Sequence, residues 1–565
     1  MPRTIAVLTS SLSVIIRILL VLLVRFLFLI RQAHTFAKFS VAKLPTRHAR
    51  KPSTMSNIFS DIAQYRVTEA QPATSTSSGL DFERCSALHN AIVRYGWRAS
   101  GYELADLPDR TWWASQEDEG EDLIEVESRL DHSVQGFLKR ALNPDEFPDG
   151  EENSFFYILA GLATPDQLWE FTDDINPEHI TLYLTHEGLS DNLAGIVYDL
   201  TTHLCAFNGG ITFGVYDGTI SLAWQPLETI LSVYIDVIER RKAVALYKSI
   251  VESDRDFFPH PDDGSLVPAE LYPNPLPHED TETGAKRGLH CYNPWTLLPY
   301  AERDLQETLD AWSSLLDAIE ERRPRTSEAT SEVSTRGIFT EAELLDTSLR
   351  VNGFAWRFFV RARKPTVAHI GPGLCLPTLE ELSRSHFPRD DGDDPAFDSD
   401  STIISPVPIL LGSQTTTSWL TYPFTEAASI PWGLYLDACE IHGPCPFEDG
   451  CRLALPFPLG ANGFAKKADE SPLNSGAGPA GDGRAELYQL GKNPFMPDHS
   501  SQLLAVLMQF VGHVRSDIWD VGAEGVEGGA DVFREADTNM ARGQDDVEMV
   551  AQDYRLVLGA GDRYW

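Results

Sequence analysis

Three cysteines and a histidine crowd the run CEIHGPCPFEDGC, at Cys439, His442, Cys445 and Cys451. Thiolate and imidazole are ligands that zinc favours, and zinc takes four of them in a tetrahedron. The residue types therefore nominate these four as metal ligands, with zinc as the cofactor. The spacing argues against it. Structural zinc sites join two close pairs across a longer loop, and iron–sulfur runs use thiolates without a histidine between them. The competing reading is a Pro/Gly loop that carries its cysteines incidentally or as a redox pair.

Arginines lie beside aromatics in WRFFVRAR, residues 356–363. Drawn as a strand, Arg357, Phe359, Arg361 and Arg363 share one side, and Trp356, Phe358, Val360 and Ala362 the other. Such a basic face suits a phosphate or a nucleic acid backbone. In an acidic chain it equally suits the protein's own carboxylates. Thr185-His186-Glu187-Gly188 begins like the zinc-protease pattern H-E-x-x-H, but Ser190 stands where the second histidine is required, so that reading fails. Gly371-Pro372-Gly373 marks a turn. The chain holds no Walker sequence, no G-x-S-x-G elbow and no EF-hand loop around Asp390. A carboxylate pair for acid–base catalysis comes from distant positions, and 83 acids do not single one out.

Charge divides the elements that carry these residues. Residues 1–54 hold nine Lys/Arg and no acid. The remaining 37 bases face all 83 acids, so the body carries a net charge of −46. A body that negative repels nucleic acid and anionic membranes, and it favours a protein partner with a basic or neutral surface. Seven cysteines and no Asn-x-Ser/Thr sequon agree with a reducing compartment.

Val14 to Ile30 reads VIIRILLVLLVRFLFLI. Its fifteen aliphatic or Phe residues contribute about −4 to −9 kcal/mol to insertion, and two central Arg would oppose this by about 5 to 7 kcal/mol. Arg17 lies near one end and can snorkel, which lowers its share. The segment is also at the lower length limit for a span. Six bases follow it and one precedes it, which orients an inserted helix with the body in the cytosol. Two other readings stay open: a soluble cytosolic or nuclear protein translated from Met55, and a mitochondrial presequence.

The body is expected to be α+β. The segment 55–79 is a polar linker. An α+β domain spans 80–322, a second linker 323–337, and a second mixed α/β domain 338–565, with disordered insertions near 389–401 and 466–484. Residues 106–127, rich in acids, read as loop. Asn208-Gly209 and Asp217-Gly218 are tight-turn dipeptides within an antiparallel meander over 204–224, and 196–199 adds a strand before it. Thr164-Pro165-Asp166-Gln167 predicts a helix start. Helical spacing predicts amphipathic helices over 226–246, 304–323 and 502–514. Thr340 with Glu343, and Thr378 with Glu381, predict two capping boxes. Residues 423–459 read as loop with short strands, and 554–558 as a last strand.

The sequence therefore points first to a non-catalytic, acidic interaction protein, which an inserted leader would tether to a membrane. The alternatives are a hydrolase or transferase built on unrecognised carboxylates or on His186 and His203, and a metal-stabilised module at the Cys439–Cys451 loop.

Overall fold

The computed structural model describes most of the chain between Asn57 and Thr538. The longest stretches outside the description are 1–56, 209–223, 246–256, 269–290, 325–336, 385–402, 417–428, 474–483, 489–500 and 539–565, with shorter ones such as 186–194, 260–265, 441–446 and 466–472. The leader segment Val14 to Ile30, the rest of the meander after Asn208, His186 and the strand expected at 554–558 all lie there. Contacts divide the chain into Met1–Thr54 and Met55–Trp565. The second of these units mixes helices with largely antiparallel sheets. Among the described residues no helix is long and apolar enough to cross a membrane.

The helices are α1 (Phe82–Ala99), α2 (Trp112–Glu119), α3 (Leu123–Arg129), α4 (His132–Leu138), α5 (Leu227–Glu239), α6 (Glu302–Arg322), α7 (Glu341–Leu344), α8 (Phe354–Arg361), α9 (Leu379–Ser383) and α10 (Leu503–Arg515). Strands β1 (Leu159–Leu162), β2 (His179–Thr185), β3 (Gly195–Asp199) and β4 (Leu204–Asn208) form an antiparallel sheet in sequence order. Strand β5 (Ala243–Ala245) pairs with β6 (Trp295–Leu297). An eight-stranded sheet contains β7 (His369–Gly371), β8 (Leu374–Cys375), β9 (Val407–Thr416), β10 (Ile430–Leu436), β11 (Cys451–Leu459), β12 (Arg484–Leu487), β13 (Val521–Gly522) and β14 (Gly525–Val526). Its spatial order is β12-β11-β10-β9-β8-β7-β14-β13, and β7 with β14 is its one parallel pairing.

Two apolar cores result. The first lies between α1, α4 and α5 and the four-stranded sheet, and runs from Phe59 to Trp295 with Phe447 added from far along the chain. The second runs from Tyr300 to Phe533, with α6 and α10 packed on each other and on the large sheet. Helix α6 is apolar on the face read from the sequence, and Leu305, Leu309, Trp312, Leu316 and Ile319 are all buried in this second core. Its last turn is tied to the end of α10 and the segment after it: Arg322 donates to the carbonyls of Val514 at 2.5 Å and Trp519 at 2.6 Å and pairs with Asp517.

The segment before α1 is held by one side chain. Arg84 is nine-tenths buried and donates to the carbonyl oxygens of Tyr65, Arg66, Gln71 and Pro72 at 2.7 to 3.0 Å. Asp81 caps α1 by accepting from the Arg84 amide. Both capping boxes form as the sequence predicts, at α7 and α9.

Several expectations need correction. Residues 356–363 are not a strand: Phe354–Arg361 is helix α8. Arg357 and Arg361 are four apart, so on a helix they meet one partner, and both pair with Glu302. The acid-rich stretch 106–127 is not loop. It contains α2 and most of α3, because Trp112, Trp113, Leu123 and Val126 are buried. Thr164 to Gln167 makes one turn rather than a helix: the Gln167 side chain accepts from Thr164 N–H at 3.1 Å, but the Leu168 carbonyl is taken by strand β2 through Thr181 N–H. The helix expected to reach 246 stops at Glu239, and residues 243–245 are strand. Residues 423–459 include two long strands, β10 and β11. Their periodicity is hidden by Pro431, Pro456 and Pro458, and the register of β11 on β12 shifts between Ala454 and Leu459.

Candidate functional site

The best-built polar cluster lies where the two cores meet. Its first member, Lys242, follows α5 through a helix-ending turn. The Lys242 amide donates to Val237 and the Arg241 amide to Ile238, with Arg241 at φ +66°. This is the Schellman pattern, in which a left-handed residue reverses the chain just past a helix. The turn carries Lys242 into the interior, where its side chain is fully buried.

Its polar partners come from three other places in the chain, two of them carboxylates. Asp449, just ahead of β11, accepts from Lys242 Nζ at 3.0 and 2.8 Å through its two oxygens. Gln502, the residue before α10, donates to the same carboxylate at 2.7 Å. Asp304, in the first turn of α6, sits 3.7 Å from Lys242 Nζ, and its other oxygen accepts from Arg240 at 3.1 Å. Arg240 also bonds Glu307 at 3.1 Å. Lys242 Nζ further lies 4.9 Å from the centre of the Phe447 ring, a cation–π contact. Burial pushes both Asp449 and Asp304 above the ordinary carboxylate range, and the charge of Lys242 draws each back.

The run nominated for metal supplies part of this junction. Phe447 is buried in the first core. Glu448 accepts from Arg350 at 2.8 Å and from the Phe354 amide at 2.7 Å, which satisfies the first turn of α8. Asp449 holds Lys242. Three successive residues thus serve the first core, a helix of the second core, and the ion cluster between them. Of the four nominated ligands, Cys451 is a buried free thiol in β11 whose burial raises its pKa well above the usual value. His442, Cys445 and the side chain of Cys439 lie outside the described residues. Among the described residues, no three His, Cys, Asp or Glu side chains converge as a metal site.

The arginines of the basic run are occupied. Arg357 and Arg361 pair with Glu302, and Arg363 with Asp317 at 2.7 Å. Gly371-Pro372-Gly373 links β7 to β8 as a turn. His203 adopts φ +60° after β3 and its Nδ1 lies 2.9 Å from the Tyr198 hydroxyl and 4.0 Å from Asp131.

A different histidine lines a cavity. His89 on α1 is buried, stacked on Phe155 at 4.6 Å. Its Nε2 meets the Leu142 carbonyl at 2.8 Å, so Nε2 carries the proton and Nδ1 accepts from the Tyr183 hydroxyl, also at 2.8 Å. Burial lowers its pKa to about 4 and lifts that of Tyr183 well above its usual value. The adjoining space, lined by His89, Asn143, Asn153, Ser154 and Phe155, is about 30 Å³. That admits a water or two, against the several hundred Å³ of a typical ligand pocket.

Sequence reasoning missed Lys242, Asp304, Asp449, His89 and the pair Cys375 and His369, whose Sγ and Nδ1 lie 3.3 Å apart. Only that pair had a local signal, because a Gly-Pro-Gly turn between two short strands sets residues six apart side by side. No family model, curated protein or solved structure matches this chain, so its function must be read from its own residues.

Proposed function

We propose that the 55–565 body is a non-catalytic acidic binding protein whose partner presents a basic surface. The observation that supports this is the excess of acids over bases. The body has 37 bases against 83 acids, and many described bases are turned inward. Arg84 is spent on backbone carbonyls. Arg240 and Lys242 lie in the buried junction, Arg350 holds Glu448, and Arg452 contacts Asp437 while lying 3.5 Å from Glu486. Most of these inward bases take carboxylates in with them, so the outer field follows from the excess of acids in the rest of the body, which steers a basic partner and repels nucleic acid.

A tether through Val14 to Ile30, with the body in the cytosol, belongs to the same reading. Its support is the basic flank after the segment. Mass spectrometry of the native N-terminus with carbonate extraction tests it: an intact residue 1 in a carbonate-resistant fraction supports the tether, and a mature start at Met55 or Ser56 ends it.

Carbodiimide cross-linking of the native protein in its own cell extract tests the binding reading. The expected result is a specific partner joined through its lysines to carboxylates of the body. The yield should fall steeply between about 0.1 M and about 1 M salt, as screening shortens from about 10 to about 3 Å. A partner captured equally well at both salt concentrations would overturn it.

A further inference from the structure

We propose that Cys375 is a nucleophile whose proton is taken by His369, and that this pair forms covalent adducts with α,β-unsaturated carbonyl compounds. The pair stands across the β7–β8 hairpin. His369 and Cys375 are register partners, so their side chains leave the sheet on the same face, with Sγ 3.3 Å from Nδ1. Cys375 pairs in turn with Leu411, which belongs to the small apolar cluster with Tyr435 and Ala454. The neighbours Ile370 and Leu374 are buried in the second core, on the opposite face. The pair is therefore half-buried on the reverse of the sheet, whereas the other described free cysteines, Cys85, Cys205 and Cys451, are buried.

A thiol within hydrogen-bond reach of a neutral imidazole is the arrangement that nucleophilic cysteines use. The carboxylate facing this thiol is Glu381, fixed in place by the Thr378 amide at 2.7 Å and hydroxyl at 2.8 Å. Burial first, and that carboxylate second, push the Cys375 thiol up. Free thiolate is then scarce at neutral pH, and reaction depends on the imidazole accepting the proton as the new bond forms. In the step, Sγ bonds to the β-carbon of the alkene and the π electrons move towards the carbonyl oxygen. The thiol proton passes to His369 Nδ1 and then to the α-carbon. Thiol and alkene combine with nothing left over.

The test uses the full chain and N-ethylmaleimide, with adducts counted at each cysteine by peptide mass spectrometry. Cys375 should label at least about tenfold faster than Cys85, Cys205 and Cys451, as burial suppresses those. The His369→Gln variant should slow Cys375 by about tenfold while leaving the other three unchanged, which also shows that the variant is folded. The gap between wild type and variant should narrow as pH rises into the alkaline range, where thiolate forms without help from the imidazole. A variant that labels at the wild-type rate at every pH would show that exposure alone governs Cys375 and would overturn the proposal. So would a wild-type Cys375 no faster than the buried thiols. The Cys375→Ser variant must lose this adduct and no other; if the rapid adduct persists, its assignment to Cys375 is wrong.

Discussion

The two cores differ in the polar groups they enclose. The first keeps polar groups inside: His89 bonded to Tyr183, Glu228 accepting from the Thr74 amide at 2.9 Å, and the thiols Cys85 and Cys205. Both pack ring against ring, Phe156 on Tyr234 and Trp295 in the first, and in the second Trp312 on Phe358, Phe510 on Trp519 and Trp432 on Phe533, but the second holds its charges differently. Several of its charged pairs lie towards the rim, as with Glu302 under Arg357 and Arg361. Hydrogen-bond networks fix one arrangement by direction, and close packing fixes one by shape. A chain that uses both needs something to register them, and the buried ion cluster around Lys242 draws on both sides.

Removing that junction should give the largest effect. Lys242→Met leaves Asp449 buried without its cation and Asp304 with Arg240 alone, which costs about 3–5 kcal/mol. Denaturant unfolding followed by hydrogen exchange should then show peptides of α1 and α10 opening at separate midpoints. The double variant Lys242→Met with Asp449→Leu should recover much of the loss, since an apolar pair can replace a buried ion pair. A single transition displaced by less than about 1 kcal/mol would remove the junction from this role.

Acid should sharpen the contrast next. His89 titrates near 6.5 unfolded and at about 4 folded. The unfolded state therefore binds the extra proton between those values. The stability linked to His89 is complete above about pH 6.5 and is lost as pH falls through about 4, by about 3 kcal/mol in all. Peptides from α1 should lose protection before those from α10 in this window. His89→Gln should be less stable at neutral pH but show a flatter acid slope. An unchanged slope in the variant would place the acid sensitivity elsewhere.

The smallest effect should come from shape. A Cβ on Gly412 would fall 1.9 Å from the Trp432 indole. Gly412→Ala should thus destabilise the second core by about 1–3 kcal/mol, as overpacking does. Midpoints monitored through α1 should stay put.

How much of the fold is legible in the sequence depends on the distance over which each signal acts. The capping boxes at Thr340 and Thr378 are readable because their partner lies three residues on. Helices α5, α6 and α10 are readable from their apolar stripe, though α5 ends early because Arg241 takes the left-handed conformation that glycine would have announced. Helix α8 reads as a strand because a short run with Arg357, Arg361 and Arg363 on one parity fits a period of two, and the partners that make it a helix, Glu302 and Glu448, are distant in sequence. The polar junction has no local signal at all. Its ion pair joins residues 207 apart.

That separation has a consequence for the order of events during synthesis. The first core is nearly complete in sequence by Trp295, but on the ribosome Lys242 has only Asp304, 3.7 Å from its ammonium, until Asp449 brings the close ion pair, and the core itself waits for Phe447. An ammonium with no hydrogen-bonded carboxylate is too costly to bury. The side of the first core that bears Lys242 must therefore remain hydrated in the nascent chain, and it dries only when the FED run emerges. Arrival of three residues would then both finish one core and set the α8 terminus of the next, making that moment a checkpoint in the life of the chain.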